Sequence, residues 1–162
     1  MELDRFKDLF KIKKPIIGMI HLAGGGEKEK ITRALEELSI YEEEEVDSAI
    51  IEDYHGSKET VYEVLKKSNK KFKIIKGVNI LSDPYSSFEL AYKFDVKFIQ
   101  FDSVQNKDLI LKKYNLLREN YNELIILGGI RFKYIEQTGN SLREDINQGM
   151  SNCDAIVTTG SG

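Results

Sequence analysis

From Pro15 to Val46 the chain runs through one unit: an apolar segment of strand length, a polar residue at its exit, a glycine break and a stretch with helical spacing. Residues 16–22 read as the strand, His21 stands near its exit, and Gly24-Gly25-Gly26 form the break. Ile31, Leu35 and Leu38 then mark the buried stripe of a helix over residues 27–46. The unit recurs about six times at a spacing of roughly 25–30 residues, which argues for right-handed βαβ connections and a parallel sheet.

The later strands are expected at 48–53, 72–81, 96–101, 123–127 and 154–157. In the first, Ile17, Met19 and His21 share one face and Ile16, Ile20 and Leu22 the other, so both faces are mostly apolar. That is the pattern of a parallel strand covered on both sides. Ser57, Asp83 (with Pro84 in the first turn) and Ser141 read as N-caps. Leu3, Phe6, Leu9 and Phe10 predict a short amphipathic helix, suited to covering the bottom of a barrel. Glu42 to Glu45 place four acids at a helix C-terminus, against the helix dipole, which calls for fraying or a basic neighbour.

A doubly wound sheet and a (β/α)8 barrel both fit this alternation. No G-x-G-x-x-G follows the first strand and no G-x-x-x-x-G-K-[ST] occurs, so a nucleotide-binding open sheet loses its main support. The expected fold is a single α/β domain of the TIM-barrel type over residues 1–162, incomplete, with about six βα units on a parallel sheet.

A net charge of −3 and a pI near 5.5 give no reason to expect nucleic acid. The cluster Lys66, Lys67, Lys70, Lys71, Lys73 and Lys76 reads as a solvated helix end and loop. One cysteine, Cys153, excludes an internal disulfide framework and reads as a small buried side chain. Neither a signal-peptide apolar region nor a run of ~18 apolar residues occurs, so the expectation is a cytoplasmic protein without a membrane span.

Polar groups gather at the strand exits: His21, Glu52 and Asp53, Asn79, Asp102, Arg131 and Lys133, Thr158 and Thr159. In parallel α/β folds these exits converge on one face, where ligands bind. His21 with Glu52 or Asp53 is the candidate proton-transferring set. Asn79, Asp102, Arg131, Lys133 and Thr158 are the candidate substrate-binding set. Glu52 and Asp53 are adjacent, so one of them faces the site, and the sequence leaves open which. A metal held by His21, His55 and one of these carboxylates is conceivable, but with two histidines in the chain no metal is expected, and no cofactor.

Lys14 to Leu22, Val46 to Asp53, Gly77 to Leu81, Lys97 to Phe101 and Cys153 to Gly162, in this order, resemble the BtpA/SgcQ family, barrel proteins related to phosphate-binding (β/α)8 enzymes. The chain departs from that pattern at Ala23 to Gly26, where the family carries a proline-rich loop. It departs again at Asp53 in place of an amide, and at Tyr134 after Lys133 in place of histidine. The resemblance implies an isomerase, epimerase or lyase acting on a small phosphorylated metabolite, with Arg131 or Lys133 stabilising negative charge. The other readings are a non-enzymatic assembly factor on the same scaffold and an inactive remnant. A full barrel takes about 250 residues, so the expectation is a truncated barrel, or one completed by self-association into a homo-oligomer.

Overall fold

The computed structural model describes residues 3–159. Six strands, β1 (Ile17–Ile20), β2 (Ser48–Glu52), β3 (Ile75–Asn79), β4 (Phe98–Phe101), β5 (Ile125–Gly129) and β6 (Ala155–Val157), lie side by side in chain order. Every pairing is parallel. The helices are α1 (Leu3–Phe10), α2 (Glu27–Glu43), α3 (Lys58–Ser68), α4 (Ser86–Lys93), α5 (Leu111–Asn120) and α6 (Leu142–Asn152). Winding with no strand skipped is that of a barrel, and the sheet curls as a half-barrel, an incomplete α/β barrel as the alternation predicted. The glycine-rich ending Gly160-Ser161-Gly162 lies outside the described residues.

Strand alternation sorts the apolar side chains onto two faces. Ile20, Ile51, Val78, Ile99 and Ile126 join the helices in the larger core, with Leu38, Val61, Phe88 and Tyr114 fully buried there. Ile50, Phe98, Ile125 and Leu127 form the concave cluster, onto which α1 lays Phe6, Leu9 and Phe10. Phe10 meets Phe98 edge-on with ring centroids 5.8 Å apart, so α1 covers the inner face as the sequence pattern suggests.

The strands are shorter than their apolar runs. Residues 72–81 read as one strand, yet only Ile75–Asn79 pair. Phe72 and Ile74 are apolar because they enter the outer core, before the ladder begins. Ser57 and Ser141 cap α3 and α6 through their hydroxyls, which accept from Thr60 N (3.2 Å) and Glu144 N (3.3 Å). Asp83 does not cap α4. A backbone turn opens that helix, Ser86 N donating to Asp83 O at 3.0 Å, and the Asp83 carboxylate faces Lys58 Nζ at 3.5 Å instead.

The acidic end of α2 finds backbone donors rather than a basic side chain. Glu42 Oε2 accepts from Lys73 N (2.5 Å) and Ile74 N (2.8 Å), fixing the chain as it enters β3. Lys76 is a further correction: it is buried, not solvated, and Nζ donates to Phe72 O and Ile74 O at 3.0 and 3.2 Å. Cys153 is buried as expected, its thiol pushed up to about 11 by burial. Among the described residues no helix is long and apolar enough to cross a membrane.

Candidate active site

The carboxyl ends of the strands open into a cavity of about 790 Å³. Each polar group on its floor is delivered by strand parity. On β2, Ser48, Ile50 and Glu52 alternate with Ala49 and Ile51, so Glu52 shares the face of Ile50, which lies in the concave cluster. Register then sets Glu52 beside Asn79 of β3. Gln100 follows Phe98 on the same face of β4, and Asp102 lies just past that strand's end.

Two glycines set how closely these pieces approach. A side-chain carbon at Gly77 would run into the Phe98 ring, and one at Gly129 would strike the carbonyl of Asp102. The chain tolerates both contacts only without a Cβ, so β5 draws up against the Asp102 backbone.

Glu52 and Asp102 are linked through amides. Asn79 Nδ2 donates to Glu52 Oε2 at 2.7 Å and to Asp102 Oδ1 at 2.9 Å, and Gln100 Nε2 reaches Asp102 Oδ1 at 3.3 Å. Glu52 is 6% exposed and Asn79 1%. Burial pushes the Glu52 carboxyl up to about 7, the charges of Asp102 and Asp53 add to the rise, and the Asn79 hydrogen bond opposes it. His21 Nε2 lies 3.6 Å from Glu52 Oε1, with its ring half exposed and 5.3 Å from that of Tyr54. A carboxyl that titrates near neutrality beside an imidazole can give or take a proton.

The structure separates the residues that the strand exits had grouped. His21, Glu52, Asn79, Asp102 and Lys133 line the cavity. Asp53 turns away and ties the start of the β3–α4 loop, accepting from Leu81 N and Ser82 Oγ, both at 2.6 Å. Arg131 is held by α6 and the loop before it, Nε donating to Asp145 Oδ2 at 2.7 Å and a terminal nitrogen to Asn140 O at 2.8 Å. Thr158 is exposed and lies off the cavity, whereas Thr159 lines it and accepts from Lys133 N at 3.1 Å. His55 packs against Tyr54, with ring centroids 4.6 Å apart, and does not line the cavity. Among the described residues no group of three or more His, Cys, Asp or Glu side chains is placed to hold a metal ion.

Sequence reasoning missed Gln100, Asp108 and the aromatic wall of Tyr54, Tyr85, Phe101, Phe132 and Tyr134. Gln100 carried a readable signal, being the one polar residue inside Phe98-Ile99-Gln100-Phe101 on the face of Phe98. Asp108 and the wall tyrosines sit outside the strands, where parity gives no direction.

No family model matches the sequence, and no curated protein matches it. Among solved structures the chain is similar to the crystal structure of 7,8-dihydropteroate synthase from Vibrio fischeri ES114, at 13% sequence identity and a TM-score of 0.57. The match covers 100% of this chain and 64% of that one. At such identity the likeness shows the fold alone, and that fold is an α/β barrel of which this chain forms an incomplete part.

Proposed function

We propose that this chain is a BtpA/SgcQ-type barrel protein that carries out acid–base chemistry on a small phosphorylated metabolite, as an isomerase, epimerase or lyase. One observation carries the reading: Glu52, buried and titrating near 7, stands at the cavity floor within 3.6 Å of His21. In this reading the Glu52 carboxylate takes a proton from a carbon next to a carbonyl. The electron pair of that C–H bond moves toward the carbonyl oxygen, and His21 or Lys133 meets the charge that develops there. Glu52 then returns the proton to the neighbouring carbon in an isomerase, whereas in an epimerase a second acid, His21, delivers a proton to the same carbon from the opposite face. Lys133 is the one lysine or arginine among the described lining residues, so a phosphate belongs at its rim, beside Thr159.

The test is proton exchange. The protein is incubated in deuterium oxide with a panel of sugar phosphates and related hydroxy-carbonyl metabolites, and each is weighed by mass spectrometry. The expected result is deuterium in one class of metabolite, with Glu52→Gln slowing uptake at least 100-fold, the lower range of a general-base contribution of roughly 10²–10⁴. Equal uptake by wild type and Glu52→Gln, or none by either, overturns the reading.

A further inference from the structure

Asp145 is a buried acid that the proposed chemistry does not use, and it holds both ends of one loop. It is 1% exposed on α6, and its carboxylate accepts from Arg131 Nε at 2.7 Å, at the start of the β5–α6 loop. From the end of the same loop it accepts from Thr138 Oγ1 at 2.6 Å and Asn140 Nδ2 at 3.3 Å. Arg131 closes the ring by donating to Asn140 O at 2.8 Å. The backbone takes a positive φ at each foot of this clamp, 51° at Arg131 and 81° at Gly139, and nowhere between them. Residues 132–137 are thereby looped out from a fixed base, with tied ends and a left-handed residue at each foot. That is the construction of a hinged flap.

The flap itself is held lightly. None of residues 131–140 is buried, and Tyr134 is 78% exposed although it borders the cavity together with Phe132, Lys133 and Ile135. Outside the clamp, two residues fasten residues 132–137 to the rest of the described chain by hydrogen bonds. Lys133 N donates to Thr159 Oγ1 at 3.1 Å, and Lys107 Nζ, from the β4–α5 loop, donates to Glu136 O at 2.6 Å and Gln137 O at 3.4 Å. At the seam between the two loops Gln105 Nε2 donates to Asp145 O at 3.2 Å, while its buried Oε1 finds no donor among the described residues. A buried acceptor left empty marks an arrangement that a shift can improve. Lys133 supplies the pull. Its Nζ rests over the Tyr134 ring at 4.9 Å and pairs with no carboxylate among the described residues, while Glu52, Asp102 and Asp108 line the same cavity.

We infer that Asp145 is a positioning residue of this cavity: it ties the loop ends so that residues 132–137 move as one flap, which swings over the mouth once Lys107 lets go. The swing brings Lys133 toward the acids and covers the exposed Tyr134 ring. Asp145 acts through Arg131 and Thr138 and touches no reacting atom. Closure of this kind shuts water out of a cavity, and that use of it rests on the acid–base reading, whereas the motion itself does not.

The motion is read without any ligand, by relaxation-dispersion NMR of the backbone amides. In wild type, residues 132–137 are expected to exchange on the microsecond-to-millisecond scale with one shared rate, while Gly129 and Leu142 stay still. Lys107→Met removes the latch and keeps the stem, and is expected to raise the closed population about three- to tenfold. Asp145→Asn keeps the shape of the clamp and removes its charge, and is expected to replace the shared rate by rates that differ from residue to residue. Should that variant not fold, Thr138→Val decides: it frees one end of the loop and is expected to separate residues 135–137 from 132–134. A segment with no exchange in wild type, a population unmoved by Lys107→Met, or a shared rate that survives the clamp variants overturns the inference. Deuterium exchange reads the other claim separately. A moving flap without uptake leaves the flap and removes the acid–base reading, and uptake over a still segment does the reverse.

Discussion

Asn79 and Glu52 sit side by side on neighbouring strands, and the amide of one is spent on the carboxyl of the other at 2.7 Å. The same nitrogen reaches Asp102 at 2.9 Å, so a single buried donor holds two acids together. Removing it leaves both acids closer to unpartnered. Asn79→Ala is expected to cost about 1–3 kcal/mol, the range for orphaning a buried polar partner. It is also expected to raise the Glu52 midpoint above about 7, because the lost hydrogen bond is what holds it down. Denaturant unfolding reads the first effect and carbon-detected NMR of the Glu52 carboxyl the second. A midpoint that falls would mean the amide does not favour the charged form.

A raised carboxyl makes stability depend on pH in a fixed direction. In the folded chain Glu52 keeps its proton up to about 7, whereas its unperturbed value is 4.5. Its contribution is therefore complete below about 4.5 and is lost as pH rises through 7. The loss is on the order of 3 kcal/mol for a shift of this size. Glu52→Gln stays neutral and can still accept from Asn79. The difference in unfolding free energy between variant and wild type should accordingly grow in the variant's favour from pH 5 to pH 8, then level off. A difference that is flat with pH would show that Glu52 ionises as an exposed carboxylate does.

The approach of β3 to β4 depends on a missing side chain. Gly77→Ala puts a methyl into the Phe98 ring, which is fully buried and in edge-on contact with Phe10, so the ring has little room to yield. The expected cost is about 1–3 kcal/mol for overpacking. Phe98→Leu in the same chain should recover part of it, which a double-mutant cycle by thermal or denaturant unfolding measures. Strictly additive effects would mean that the two residues do not share the space.

Strand order, the caps at Ser57 and Ser141, and the covering role of α1 were legible because they rest on periodicity and on hydrogen bonds within a few residues. The floor of the site was only partly legible: parity groups Glu52 with Ile50 and Gln100 with Phe98, but which of the two faces turns inward is set by the curl of the sheet and not by the strand itself. Past the strand ends parity fails. Arg131 follows β5 by two residues, but its backbone takes a φ of 51°, and its partner Asp145 lies fourteen residues on. Burial pushes the Asp145 carboxyl up, yet the bonds from Thr138, Arg131 and Asn140 outweigh it and hold it below its ordinary value. An arginine locked to such an acid is lost to the cavity, and nothing local to residue 131 announces it. Lys76 failed differently: a lysine in a lysine-rich segment reads as solvated, while here two carbonyls of its own chain receive it inside the fold.

Glu52 and Asp53 give the sharpest separation of chemistry from architecture, since one peptide bond divides them. Glu52 looks into the cavity, and Asp53 looks away and accepts from Leu81 N, Ser82 N and Ser82 Oγ. Asp53→Ala orphans two backbone donors at the start of a loop and is expected to cost about 2 kcal/mol. Its deuterium uptake, normalised to folded protein, should fall less than tenfold. Glu52→Gln should show the opposite profile, with stability kept at neutral pH and uptake lowered at least 100-fold, as a lost general base requires. Asp53→Asn, which keeps one acceptor for the loop, should recover part of the stability lost in Asp53→Ala. If Asp53→Ala instead stops uptake while the chain stays folded, the proton-transferring carboxylate has been placed on the wrong side of the strand.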